Sequence, residues 1–127
     1  MLQHVSLEVR ADQDDACVAF WALLGFEPMT PPPALRDRFT WVTRGGTQIH
    51  LIPVDDPVTT RQGHAAVVVE DYEGTLEALR DGGFAPRDGE NAWDAPRAFV
   101  RDPAGNLVEL MSRPPLPPWP GEGGTAA

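Results

Sequence analysis

Ala98-Phe-Val-Arg-Asp-Pro-Ala-Gly-Asn-Leu-Val-Glu-Leu-Met111 reads as two short apolar strands around a tight turn. Asp102, Pro103 and Gly105 take the opening, φ-fixed and φ-positive positions that such a turn requires. On the second strand a period of two places Leu107, Glu109 and Met111 on one face, with Val108 and Leu110 on the other. Glu109 is thereby set among apolar neighbours on an inward face. A carboxylate there is costly unless a cation or donor stands beside it. The rest of the chain is expected to supply that partner.

Upstream of the hairpin, Asp88 to Pro96 is a loop holding Trp93. Earlier still, Gly63 to Val69 alternates as a strand with His64, Ala66 and Val68 on one side. Tyr72 to Asp81 has helical spacing, with Asp71 as cap, Leu76 and Leu79 as core residues and Gly82-Gly83 as the stop. Phe84 opens another short strand. The N-terminal half runs in the same order. Leu2 to Val9 alternates, with Leu2, His4, Ser6 and Glu8 sharing a face. Asp12 can cap a helix whose apolar stripe is Cys17, Phe20, Trp21 and Leu24, ended by Gly25. Phe26 starts a short strand, and Pro31-Pro32-Pro33 is a stiff connection. Phe39 to Thr43 and Thr47 to Ile52 form a hairpin whose returning strand carries Gln48, His50 and Ile52 on one face. Pro53 to Gln62 is a polar linker.

The halves match at a nearly fixed offset: His4 and His64 are 60 residues apart, Gly25-Phe26 and Gly83-Phe84 are 58 apart, and His50 and Glu109 are 59 apart. Strand, helix and three strands are therefore stated twice. This makes an α+β domain over residues 1–112, built of βαβββ modules at 1–54 and 63–112. A Pro- and Gly-rich tail follows over 113–127 and reads as flexible, unless Trp119 docks it.

A chain of 127 residues with a net charge of −9 fits a single globular domain and disfavours nucleic acid or an anionic membrane as partner. The lone Cys17 excludes an internal disulfide and reads as a core residue of the first helix rather than a nucleophile. No apolar run is long enough to span a bilayer, and the N-terminus lacks the pattern of a secretory signal, so a cytoplasmic location is the default expectation.

All three histidines, with Glu109, fall on only two equivalent positions of the repeat. Singly, each is an ordinary half-buried polar residue. Jointly, two positions per module about a pseudo-twofold axis would bring four donors together, and three imidazoles with one carboxylate suit a divalent metal such as Zn, Ni, Fe or Mn.

At this point Leu2-Gln-His-Val-Ser-Leu-Glu-Val9, Phe20-Trp-Ala-Leu-Leu-Gly-Phe26, Gly63-His-Ala-Ala-Val-Val-Val69 and Asp102-Pro-Ala-Gly-Asn-Leu-Val-Glu109 together resemble the vicinal oxygen chelate superfamily. That superfamily includes glyoxalases, fosfomycin-resistance enzymes, extradiol dioxygenases and bleomycin-binding proteins. The resemblance implies paired modules in a cup-shaped mixed sheet, often in a homodimer. It also implies metal ligands at His4, His50, His64 and Glu109, with Glu109 catalytic. The chain departs from the glyoxalase pattern at His50, where glyoxalase I members carry a second glutamate that moves a proton. Strand parity adds Ser6, Trp41, Gln48, Ala66, Phe99 and Arg101 around the cup, with Trp93 and Arg97 at the entry to the last hairpin. An arginine there suits a carboxylate or phosphonate, unless it pairs with Asp94 or Asp102.

Three functions compete. A metal-dependent enzyme would chelate a small polar substrate through adjacent oxygens. A binding protein would hold a flat drug-like ligand against Trp41, Trp93 and Phe99 without turnover. A redox enzyme would use Fe at the same site to activate oxygen.

Overall fold

Each half of the chain must bury an alternating strand face against its own amphipathic helix, and the computed structural model shows how the two halves do so together. It describes residues 1–122; residues 123–127 of the tail lie outside the described part. The elements run β1 (His4–Val9), a 3-10 turn (Ala11–Gln13), α1 (Asp14–Leu23), β2 (Glu27–Met29), β3 (Thr40–Arg44) and β4 (Thr47–Pro53). The second module repeats them as β5 (Ala65–Val68), α2 (Tyr72–Asp81), β6 (Arg87–Asp88), β7 (Arg97–Arg101) and β8 (Leu107–Met111).

The strands form two four-stranded mixed sheets, β1-β4-β3-β2 and β5-β8-β7-β6, rather than one continuous sheet. In both, the first strand pairs parallel with the last, and the others are antiparallel. The register is the same: Ser6 lies opposite His50, and Ala66 lies opposite Glu109. The repeat expected from the sequence is therefore a repeat of backbone pairing. It leaves β1 and β5 as edge strands, with Leu2 and Val68 exposed beside them.

One core joins the modules. Val9, Val42, Leu51, Val108 and Leu110 point from the sheets onto Cys17, Phe20, Trp21, Leu76 and Leu79 of the helices. Phe20 of α1 meets Phe84 edge-on at 5.1 Å, across the module boundary. Cys17 is fully buried, and burial with the nearby Asp102 carboxyl pushes its thiol up to about 12, as suits a packing residue. Among the described residues no helix is long and apolar enough to cross a membrane.

Local departures have local causes. Asp12 does not cap α1, because its carboxylate is taken by Arg10 at 2.9 and 3.0 Å and it sits inside the 3-10 turn. Asp71 does cap α2, accepting from the Gly74 amide at 3.0 Å. Phe84 packs against the core instead of opening a strand, so β6 begins only at Arg87. After Gly25, whose φ of +90° ends α1, the next strand begins at Glu27. The peptide bond between Pro117 and Pro118 is cis.

The turn between β7 and β8 is closed by Asp102. Its buried carboxylate accepts from the amides of Ala104 and Asn106 at 3.0 and 2.8 Å and from the Asn106 side chain at 3.1 Å. The Asn106 side-chain Nδ2 also donates to the Glu8 carbonyl at 3.0 Å, tying the turn to β1. Burial pushes the Asp102 carboxyl above the usual aspartate range, against the opposing pull of those donors. The folded state thus holds the proton to higher pH than the unfolded state, and this group's contribution to stability is lost as pH rises through the folded value. Asp102→Asn is expected to flatten the fall in denaturation midpoint from about pH 4 upward. An unchanged slope would assign that pH dependence to other groups.

Candidate functional site

The second module holds its site on the central strand β8. Glu109 lies between Ala66 of β5 and Phe99 of β7, and it is only 3% exposed. Its Oε1 stands 2.9 Å from His64 Nε2, and its Oε2 accepts from the Arg97 guanidinium at 3.3 Å. Arg97 is itself fixed: its Nε donates to the Glu90 carbonyl at 2.9 Å, and the guanidinium lies 4.7 Å from the Trp93 ring and 5.4 Å from Phe99. The cation that the Glu109 position calls for is therefore Arg97. Neither Asp94 nor Asp102 takes it.

His64 shows the decisive polarity. Its Nδ1 lies 2.6 Å from the Gln62 carbonyl oxygen, which can only accept, so Nδ1 carries the hydrogen. A neutral ring then turns the Nε2 lone pair toward Glu109 Oε1. Two electron-rich atoms face each other at 2.9 Å. A cation must relieve them, either a proton on Nε2 or a metal ion held by both.

The first module carries His50 at the position equivalent to Glu109, between Ser6 and Trp41 in the register. Its imidazole is sandwiched in a three-ring stack, 3.9 Å from Trp41 at 1° and 4.0 Å from His4 at 16°. The Gln48 side-chain oxygen accepts from His50 Nε2 at 2.8 Å, and the Gln3 oxygen accepts from His4 Nδ1 at 2.7 Å. Those contacts leave lone pairs on His50 Nδ1 and His4 Nε2. Burial, and then His4 beside it, pull the His50 imidazole below its usual range and keep that lone pair free to lower pH.

The four residues thus form two pairs, His4 with His50 and His64 with Glu109. Among the described residues no three His, Cys, Asp or Glu side chains gather closely enough to hold a metal ion. A cleft of about 330 Å³ lies between β1 and β5, lined by Ser6, Glu8, Thr60 and His64. Arg101 faces elsewhere, donating to the carbonyls of Thr60, Arg61 and Gly105, where it clamps the linker to the second sheet. Trp93 covers Arg97, and Phe99 meets the His64 ring edge-on at 5.2 Å. The residues that sequence reasoning missed are Gln3, Gln62 and Glu90, the last two acting through backbone carbonyls that no side-chain pattern signals.

The His64–Glu109 pair fits a metal ion. Two ligands each about 2.0–2.2 Å from one first-row ion stand roughly 3 Å apart when nearly at right angles, close to the 2.9 Å observed. Arg97 on Oε2 leaves Oε1 as the free ligand atom, the kind of outer partner that orients a coordinating carboxylate.

The sequence profile of the glyoxalase-like domain matches residues 6–111. A glyoxalase family protein from Bacillus anthracis has the same fold at a TM-score of 0.79 and 25% identity, over 87% of this chain and 93% of that one. TnmS3, an antibiotic binding protein from Streptomyces sp. CB03234, aligns at 0.64 and 25% identity over the same shares. The fosfomycin resistance protein FosX from Listeria monocytogenes shares the fold at 0.74 and 15% identity, over 90% and 91% of the two chains. No curated protein matches the chain.

Proposed function

The chain belongs to the glyoxalase-like domain family, and on that premise we propose that it is a metal-dependent enzyme acting on a small polar substrate bound through adjacent oxygens. The observation that carries this reading is the facing of His64 Nε2 and Glu109 Oε1 at 2.9 Å, with Nδ1 already committed to a carbonyl. His64 and Glu109 of one chain supply half of the ligand set, and His4 and His50 of a second chain supply the rest. The edge positions of β1 and β5 and the separation of the two pairs support a homodimer in which each site draws on both chains.

A bound divalent ion supplies Lewis acidity to the substrate oxygens. The chain's own groups do the remainder. Arg97 holds Oε2 so that Oε1 stays turned toward His64. The Trp41–His50–His4 stack holds the two imidazoles nearly parallel, and Gln48 and Gln3 hydrogen-bond one ring nitrogen of each. With histidine where a glutamate would move a proton, His50 is a weaker fit to the glyoxalase proton transfer, and the substrate need not be a hemithioacetal.

Elemental analysis of untagged protein, followed by competition titration of Zn and Ni into chelator-stripped protein, tests the proposal. About one ion per chain is the expected result. Absence of tight binding would favour the second reading, a metal-free binding cup. In that case a proton on His64 completes a His64–Glu109–Arg97 charge network and the aromatic walls hold a flat ligand, as the likeness to an antibiotic binding protein suggests.

A further inference from the structure

The chain leaves the second sheet from a fixed point. The Ser112 hydroxyl donates to the Pro96 carbonyl at 3.0 Å, and the Arg113 guanidinium donates to the carbonyls of Trp93 and Asp94 at 3.1 and 2.9 Å. Beyond this clamp runs Pro114-Pro-Leu-Pro-Pro-Trp-Pro120. Its five prolines lack N–H groups and have φ fixed near −65°, so the stretch can neither continue the β8 ladder nor enter a helix. Every residue from Arg113 to Glu122 is exposed. Among the described residues no hydrogen bond ties Pro114 to Pro118 to the fold, so their carbonyls stand free. Two large apolar side chains, Leu116 at 64% and Trp119 at 40% exposure, project from this segment.

Exposed apolar side chains on a proline-stiffened segment are a particular kind of ligand. The prolines have already removed most of the ordering cost of binding, and the free carbonyls are strong acceptors. In an extended run over Pro114–Pro117, upstream of the cis bond, three residues per turn put Pro114 and Pro117 on one edge with Leu116 beside them. The complementary surface is a groove walled by aromatic rings, with Tyr or Trp donors for the carbonyls. Among the described residues, the apolar cleft between the two modules is a poor match for such a segment in a second copy of this chain. That cleft, about 530 Å³ between the β1 and β5 sides, has Phe26 as its single benzenoid wall and is rimmed by Arg44.

We propose that Pro114–Trp119 is a docking segment for a protein partner whose groove is lined by aromatic side chains. The segment lies outside the cup, so the proposal is independent of the metal reading.

The test is calorimetric titration of the full chain with two purified probes, a WW domain selective for Pro-Pro-Leu-Pro ligands and an SH3 domain that reads PxxP. Binding of at least one probe is expected, weakened at least about tenfold by Pro115→Ala with Pro117→Ala and less by Trp119→Ala. Melting temperature and metal affinity should not move in the proline double variant, since among the described residues no hydrogen bond ties Pro114 to Pro118 to the fold. The proposal is overturned if neither probe binds, or if the double variant binds as well as the parent. It is equally overturned if light scattering shows that the variants change the oligomeric state, which would assign the tail to a second copy of the chain.

Discussion

Glu109→Gln is expected to lower divalent-metal affinity by more than about 100-fold, beyond the 10–100-fold that loss of an outer partner typically costs. The substitution hardly alters volume, yet it removes the only negative charge among the four donors and replaces the anionic Oε1 with a neutral amide atom. It also strands Arg97, which is held between Trp93 and Phe99 and keeps only the Glu90 carbonyl. His50→Ala should cost far less, on the order of tenfold, because three donors remain. Competition titration of Zn and Ni into the stripped proteins reads both. Equal affinities for wild type and Glu109→Gln would remove the shared ion from the account. Binding should weaken as pH falls through the imidazole range, since protonated histidine has no lone pair to give.

Trp21→Ala should destabilise the fold by about 3–5 kcal/mol, a large part of the 5–15 kcal/mol that a domain of this kind possesses. Trp21 is fully buried and meets Phe20 at 5.5 Å and Phe26 at 5.2 Å, both edge-on. Phe20 in turn packs on Phe84, so the cavity would open where the two modules join. The indole Nε1 is buried without a hydrogen-bond partner. Trp21→Phe removes that unsatisfied donor while keeping an aromatic ring, and its cost should be well below that of alanine. Denaturant titration checks the ranking. A loss under about 1 kcal/mol for Trp21→Ala would mean that the modules are held together elsewhere.

The hairpin, α2 and the repeat were legible because each rests on local chemistry. Gly105 takes φ +97°, Asp71 accepts from the Gly74 amide, and a period of two fixes which residues of β4 and β8 share a face. The cap of α1 was not, because a side chain two residues away, Arg10, competes for Asp12. The candidate site was legible as a set of positions but not as a geometry. Parity places His4, His50, His64 and Glu109 on the cup-facing sides of their strands. It is silent on how two separate sheets sit, and so on the division into two pairs. Parity also placed Arg101 with Phe99 around the cup, although Arg101 clamps a linker through backbone carbonyls, while Arg97, placed only at the entry to the hairpin, holds the buried carboxylate. The hydrogen on His64 Nδ1 is set by a main-chain oxygen, which every residue has and no sequence advertises.

The claim that each site draws one pair from each of two chains is tested most directly by complementation. One double variant carries His4→Ala and His50→Ala, the other His64→Ala and Glu109→Gln. Each should fold and dimerise but bind no metal tightly, because every site has lost half of its donors. Unfolded together and refolded, they should form mixed dimers with one intact site and one empty of donors. Random pairing then restores tight binding to about one quarter of all sites. A refolded mixture that binds no better than its parents, although light scattering shows dimers, would contradict the two-chain site.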